Sequence, residues 1–368
     1  MHRLATFVLC IPLAACATAD NDSWPFTATP LAEFDEPWAM SFLPDGRLLV
    51  TEKKGRLFLV TQDGQKKSSV TGVPNVDYGG QGGLGDVVLH PDFAANSLIY
   101  LSYAEAGDDD TRGAAVARAK LDVTADGGRL SAVEVIWRQD PKVTAHGHYG
   151  HRIAFSADGY LYISSGERQK FDPAQDMNGN LGKILRLNDD GSAPADNPFA
   201  DRGGVASQVW SLGHRNPLGL AFDAAGRLWD VEMGPAGGDE LNLILGGNNY
   251  GYPIVSNGDH YDGTPIPHHD TRPEFAAPKL WWTPVISPSS LAFYSGDVFT
   301  QWKGSAFIGG LSSKALVRIS FDGDNAREAE RFAMRKRIRA VRQGPDGAIW
   351  LLEDGSGGRL LRLTPKQQ

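Results

Sequence analysis

The chain has 368 residues with 43 glycines, 22 prolines and nine tryptophans, a composition that excludes a mainly helical protein and fits many short strands joined by tight turns. Lys plus Arg number 36 against 44 Asp plus Glu, and the formal charge of −8 excludes a general attraction to nucleic acid or an anionic membrane surface. Its two cysteines lie before residue 17, so the body of the chain has neither a disulfide nor a thiolate metal site.

The chain opens with "MHRLATFVLCIPLAAC": a short basic start, an apolar run from Leu4 to Leu13, and small residues before Cys16. This pattern reads as an export signal over residues 1–16, too short to span a bilayer. "LAAC" at 13–16 is similar to a bacterial lipobox, which predicts that Cys16 carries lipid as the first residue of the mature chain and attaches it to a membrane. Alanine at position 17, rather than aspartate, predicts a periplasmic protein held at the outer membrane. Residues 17–30, which include Pro25 and Pro30, read as a tether, and residues 31–368 as a single domain.

One unit then recurs. "FLPDGRLLVTE" (42–52), "LHPDFAANSLIYLSY" (89–103), "FSADGYLYISSGE" (155–167), "FDAAGRLWDVE" (222–232) and "QGPDGAIWLLE" (343–353) each place a turn between two apolar strands, as in a β-hairpin. The segment 291–320 has room for a degenerate sixth copy. Units of about 50–65 residues repeated in this way predict an all-β, six-bladed β-propeller with four-stranded antiparallel blades. The aromatic residues of these strands are expected to pack sheet on sheet.

Residues that break the repeat are the candidates for function, because propeller chemistry sits on the loops around the central channel. Four segments do so: "YGGQGGLGD" (78–86), "AHGHYGHR" (145–152), "GHRNPLG" (213–219) and "EMGPAGGDELNLILGGNNYGYP" (232–253). His146, His148 and His151 could ligate zinc by their spacing, although no carboxylate is nearby in the sequence. They could equally be one base flanked by polar rim residues. Asp239 and Glu240 alone would read as a solvated acidic turn. Arg337 and Arg339 stand at alternate positions of a strand and so share a face.

In their order, "GQGGLG", "HYGHR", "GHRNPLGL", "GPAGGDELNLI" and "NNYGYP" resemble the soluble quinoprotein sugar dehydrogenases, six-bladed propellers that oxidise aldoses with pyrroloquinoline quinone (PQQ) and calcium. The likeness runs from about Trp38 to Leu363 and is nearest the aldose dehydrogenase branch. The resemblance implies that His148, four residues before Arg152, is the general base and contacts substrate, leaving His146 and His151 as rim residues. It places Gln81 at the sugar, and Arg215 and Asn216 at the quinone, with Arg215 stabilising developing negative charge. It gives Lys314, Arg337 and Arg339 to the cofactor's carboxylates. The carbonyls of Gly234 and Pro235 would bind the cofactor's calcium, and Glu240 and Tyr250 a second, structural calcium. Gly147 stands where glucose-type members carry an aspartate against the sugar, which implies a broader substrate range.

The resulting expectation is an exported PQQ- and calcium-dependent enzyme that oxidises the C1 hydroxyl of aldose sugars to lactones. It would pass electrons to an external acceptor such as a quinone, a cytochrome or a dye, since no haem-attachment motif is present. A non-catalytic sugar- or protein-binding propeller and a calcium-dependent lactonase are the rival readings.

Overall fold

The structure is a computed structural model and describes residues 24–124 and 126–366. The export signal, Cys16 and residues 17–23 lie outside the described residues.

Strand formation follows the repeat. In "FLPDGRLLVTE", Pro37–Phe42 and Leu48–Glu52 pair antiparallel with Phe42 opposite Leu48. The turn between them is fixed by Asp45, whose Oδ1 accepts from the Arg47 N–H at 3.0 Å, and by Gly46 at φ 86°, a conformation most side chains disfavour. The same hairpin recurs as Leu84–Leu89 with Leu98–Ala106, Gly150–Phe155 with Leu161–Ser165, and Pro217–Phe222 with Leu228–Glu232. It recurs again as Pro288–Phe293 with Ala306–Gly310 and as Ile338–Gln343 with Ile349–Glu353. The degenerate copy at 291–320 is therefore a full strand pair. In every hairpin the register slips near the start of the first strand, a bulge that adds twist and re-aims the residues beside it.

Further strands extend each hairpin outward. Four sheets have four antiparallel strands each, and the first two hairpins share an eight-stranded sheet whose halves are joined in the strand ladder through the parallel pairs Val70↔Gly128 and Thr71↔Arg129. The first strands of the hairpins touch one another in sequence order, and the last touches the first, so the sheets radiate from a closed ring as a β-propeller. Trp229, Trp302 and Trp350 are fully buried between sheets, as expected; Trp302 stacks on Phe299 at 4.3 Å.

Closure of the ring joins the first and last strands of the described residues. Phe26–Asp35 pairs antiparallel with Ser356–Pro365, Phe26 opposite Pro365. The expectation that residues 17–30 form a tether is corrected here: residues 26–30 are sheet, and Trp24 stacks on Phe26 at 5.1 Å. The prolines misled because Pro30 sits on an outer strand, where a missing N–H is tolerated, and beside a register slip.

Neighbouring sheets are stapled by side chains at every junction. Thr51 Oγ1 donates to the Gly85 carbonyl (2.7 Å), Ser164 Oγ to Pro217 (2.9 Å) and Ser289 Oγ to Ile338 (2.6 Å). Ser102 Oγ meets His151 Nδ1 at 2.8 Å, Asp239 Oδ2 accepts from the N–H groups of Ile286 and Ser287 (both 2.7 Å), and Glu52 accepts from Asp35 N–H (2.8 Å). At the axis, Arg152 donates to the carbonyls of Leu218 (2.6 Å) and Ser289 (2.5 Å), approaches Asp86 at 3.4 Å and lies 3.7 Å above the Trp38 ring. Burial pulls its pKa down to about 9, so the guanidinium still carries charge at neutral pH.

Arg152→Met should cost about 3–5 kcal/mol in chemical denaturation, because it removes the nearer guanidinium from buried Asp86 and leaves the Leu218 and Ser289 carbonyls without their donor. Arg342→Met, whose partly exposed side chain is 3.7 Å from the same carboxylate, should cost much less.

Candidate active site

The hairpin turns lie at one end of the ring, and three of the pattern-breaking segments lie at the other, where first strands begin and second strands end; the fourth starts there, at 232–238, before its strand Asp239–Ile244 runs back toward the turns. Two cavities open at that end. One, of about 360 Å³, is lined by Trp38, Gln81, His151, Met233, Arg337 and Arg339 among others. The second, of about 270 Å³, is lined by His148, Glu167, Phe171, Arg215, Pro235 and Tyr261 among others. A void of about 10 Å³ links them, touching Met233 of the first and Arg215 of the second.

His148 is held in an unusual conformation by two contacts. Its φ is 51°, its N–H donates to Gln81 Oε1 at 2.8 Å, and its Nδ1 bonds the carboxylate of buried Glu167. Strained backbone at such a residue persists only when its surroundings over-determine it. With Nδ1–H donated to Glu167, Nε2 is the free lone pair of the ring. Burial lowers the His148 pKa, with Arg215 acting in the same direction and Glu167 opposing. Burial would raise the pKa of Glu167, but its bonds from His148 and from the Phe171 N–H (2.6 Å) outweigh this and hold it below its ordinary value. The pair is therefore a carboxylate and a neutral imidazole, the state a general base requires.

Glu167 escaped the motif reading, yet the repeat contained its signal. Four of the quoted units end in glutamate: Glu52, Glu167, Glu232 and Glu353. Each accepts from a backbone N–H of a following or adjacent segment: Asp35, Phe171, Arg215 (2.6 Å) and Arg359 (3.3 Å) respectively. Glu52, Glu232 and Glu353 close their second strands opposite Pro37, Pro217 and Ile338, whereas in the His148 unit Ser165 holds that place and Glu167, two residues beyond it, reaches the base.

Arg215 reaches the rim between the cavities. Its Nη1 donates to the carbonyls of Met233 (3.0 Å) and Gly234 (2.7 Å), and its Nη2 to the Tyr261 hydroxyl at 3.2 Å. Its buried Nε has no partner among the described residues, and neither has the buried Nδ2 of Asn216, whose Oδ1 accepts from the Gly150 N–H at 3.2 Å. Arg215 lines the second cavity and Asn216 lies behind the cavity walls; each keeps a donor that no described residue satisfies.

Arg337 and Arg339 share a face, as expected, and both bond Asp354, at 2.6 and 2.8 Å. One carboxylate between two guanidinium groups leaves the wall of the larger cavity cationic, and sequence reasoning had missed Asp354. Lys314 is exposed, has φ 49° and does not line either cavity. Gly234 and Pro235 are buried; the Gly234 N–H donates to Asp239 Oδ1 at 2.9 Å, and the Pro235 carbonyl accepts no hydrogen bond from the described residues. Asp239 is no solvated turn: it is buried, and burial raises its pKa to about 6 despite three N–H donors. Glu240 and Tyr250 come together, but with an imidazole between them: His269 Nε2 is 3.1 Å from the Tyr250 carbonyl and its Nδ1 is 3.9 Å from Glu240 Oε1.

The three histidines do not converge on one point. His146 is exposed at the rim, packed over Gly79 and Gly80. His151 is not a rim residue, which corrects that expectation: it is 2 % exposed, stacks on Trp38 at 4.8 Å, and fills space that Gly85 leaves by lacking a side chain. A shared zinc site is therefore not built here, because each ring faces different partners.

A radial all-β scaffold that seats a histidine–carboxylate base beside a cationic cavity defines an oxidoreductase of the quinoprotein type. The glucose/sorbosone dehydrogenase family model matches residues 34–362, and the chain belongs to that family and is a dehydrogenase. It is 39% identical to aldose sugar dehydrogenase YliI of Escherichia coli (strain K12) over the whole of both chains, and 27% identical to quinoprotein glucose dehydrogenase B of Acinetobacter calcoaceticus over 89% of this chain and 85% of that one. Among solved structures, the apo form of the soluble aldose sugar dehydrogenase from Escherichia coli superposes with a TM-score of 0.87 at 39% identity, covering 93% of this chain and all of that one. The PQQ-bound aldose sugar dehydrogenase from Streptomyces coelicolor does so at 0.76 and 29% identity, covering 93% and 98%.

His151 gives this site an acid-stability signature. Burial holds its folded pKa down at about 3, against an ordinary value near 6.5. Below about pH 6.5 the unfolded chain takes a proton that the folded chain refuses, so stability present above that pH is lost as pH falls toward 3, by up to about 1.4 kcal/mol per unit. His151→Phe should lower the slope of unfolding free energy against pH by about one proton between pH 6 and 4, read from urea denaturation at each pH.

Proposed function

We propose that the chain is a PQQ- and calcium-dependent aldose dehydrogenase that oxidises the C1 hydroxyl of a cyclic sugar to the lactone. The observation that carries this reading is the pair of buried, unpaired donors, Arg215 Nε and Asn216 Nδ2, beside a neutral imidazole oriented by a carboxylate. The residues present fit the cofactor: Arg215 would meet its quinone oxygens with Asn216 behind it, and Arg337 and Arg339 its carboxylates, with Lys314 a further candidate on the exposed rim. The free carbonyl of Pro235 and that of Gly234 supply the hard oxygen donors that calcium takes, once Arg215 releases the latter. Glu240 and Tyr250, beside the void of about 10 Å³, would hold the second calcium if His269 turns aside.

When bound, PQQ supplies the two-electron acceptor for the hydride that leaves C1 of the sugar. His148 Nε2 takes the proton of the C1 hydroxyl, which pushes electron density toward C1. Glu167 keeps the imidazole in the correct tautomer and stabilises it once protonated. Gln81, which is exposed and already bonded to the His148 N–H through Oε1, turns its amide nitrogen to the sugar. Gly147 supports a broad sugar range for a steric reason: a Cβ there would lie 2.7 Å from Gln169 Oε1, so an aspartate has no room unless Gln169 moves. Fewer fixed groups for sugar hydroxyls mean weaker discrimination between epimers.

The fold in this reading has six four-stranded blades, the eight-stranded sheet counting as two blades joined at two residue pairs. The protein is exported to the periplasm and held at the outer membrane by lipid on Cys16, and the electrons pass to an external quinone, cytochrome or dye.

Adding PQQ with calcium to the cofactor-free protein should raise its melting temperature and allow dye reduction with several aldoses; no shift at saturating concentrations of both would overturn the reading. His148→Ala should keep the thermal shift and lose about 10²- to 10⁴-fold in turnover, while His146→Ala loses far less. Because the His148 pKa is depressed, the neutral base persists into acid, and the acid limb of kcat/KM should fall below the ordinary histidine value. Glu167→Gln should cut kcat by at least about tenfold with little change in KM.

A further inference from the structure

The strands Leu228–Glu232 and Asp239–Ile244 pair so that Asp230 stands opposite Asn242 and Glu232 opposite Glu240. Alternate residues of a strand share a face, so these side chains form a square containing three carboxylates. All are buried; Asp230 and Asn242 are 0% exposed. Like charges directly opposite destabilise a sheet even at its surface, and burial adds the loss of hydration. The surrounding polar groups do not compensate. Among the described residues, neither oxygen of Asp230 has a hydrogen-bond partner, and the same is true of Asn242 Oδ1.

A nitrogen ligand stands beside the square. His214, fully buried, reaches Glu232 Oε1 through Nδ1 at 3.0 Å and Ser211 Oγ through Nε2 at 2.8 Å. One ligand atom each from His214, Asp230 and Glu232 lies within 4.8 Å of the others, a separation that a single ion could close with small side-chain movements. The Asn242 amide lies against the same group, its nitrogen 3.2 Å from Glu232 Oε1 and 3.4 Å from Glu240 Oε2, and holds the unpartnered oxygen in reserve. The repeat marks Asp230 as an exception. At the matching position of the second strand, the other hairpins carry Val50, Leu101, Ile163, Ile308 and Leu351.

We propose that His214, Asp230, Glu232 and the Asn242 amide oxygen bind a divalent first-row metal ion of the zinc or manganese class as a structural centre inside the sheet. Imidazole together with carboxylates suits such an ion, whereas calcium takes oxygen ligands alone. Two carboxylates balance a divalent charge, and the ion satisfies the unpaired oxygens. His214 and Asp230 line neither cavity, so the proposal does not rest on the cofactor reading; the Glu240–Tyr250 pair adjoins it, Glu232 bordering the same small void and His214 stacking on Tyr250 at 4.8 Å, and the test must separate the two.

The test is metal content per chain. Full-length wild type, Asp230→Asn and Glu240→Gln are stripped with chelator, reloaded with zinc or manganese, dialysed and measured by elemental mass spectrometry alongside thermal melts. The expected result is about one equivalent on wild type with a raised melting temperature, both lost in Asp230→Asn and kept in Glu240→Gln. Wild type without bound zinc or manganese, or Asp230→Asn binding as wild type does, overturns the proposal; loss in Glu240→Gln alone assigns the ion to the other pair and also overturns it. Should Asp230→Asn fail to fold, anomalous diffraction from metal-loaded wild-type crystals decides: a peak between His214 and Asp230 supports the centre, and its absence there overturns it.

Discussion

A single guanidinium sits where the sheets converge. Arg152 comes from the third hairpin, bonds carbonyls of the fourth and fifth, faces the carboxylate of the second and covers an indole of the first, while Arg342 of the last approaches the same carboxylate. A ring of strands has no cross-strand hydrogen bonds at its axis, so inward-facing polar groups there must find partners in one another. Arg152 provides several of these partners at once because its donors fan out in a plane. The hydroxyl and carboxylate staples between neighbouring sheets then fix each inner strand against the next. The floor of the larger cavity inherits this rigidity, since Trp38 and His151 pack directly on the same centre.

The site above is assembled by reuse of one architectural element. A glutamate at or just past the end of the second strand receives a backbone N–H in four of the units, and Glu167, two residues past that end, also takes the base's ring N–H. Orientation of the imidazole therefore costs little beyond what the scaffold already requires. The loop that follows Glu167 has Arg168, Gln169 and Phe171 at positive φ, and it is anchored by buried Lys183, which donates to the carbonyls of Pro173, Ala174 and Leu181. Strain near the base is thus held by bonds to a group outside the cavity.

Much of the fold was legible because the hairpin turns carry their own chemistry: Asp and Gly at fixed offsets between apolar strands. Those turns lie at the end away from the site, and the site lies in the segments that broke the pattern, which is why the same reading located both. His148, Arg215 and the Arg337–Arg339 pair came out of motif order and strand period. What stayed hidden depended on contacts between distant segments. Asp354 lies beyond the strand that it neutralises, His151 is buried because Gly85, 66 residues earlier, makes room for it, and Pro30 is sheet because the chain's last strand pairs with it. Glu167 is the instructive omission: its unit, like three others, closes on a glutamate, but two residues past the position the others use, and only the fold shows that it reaches the base.

The pairing of Phe26–Asp35 with Ser356–Pro365 also sets an order of events. The strand made first finds its partner only when the last residues exist, so the ring stays open for nearly the whole of synthesis, and its closing contact has about the largest sequence separation the chain allows. Both ends of the folded domain are bound into one sheet edge. A pull applied at residue 24 therefore bears first on the ten-residue seam that shuts the ring.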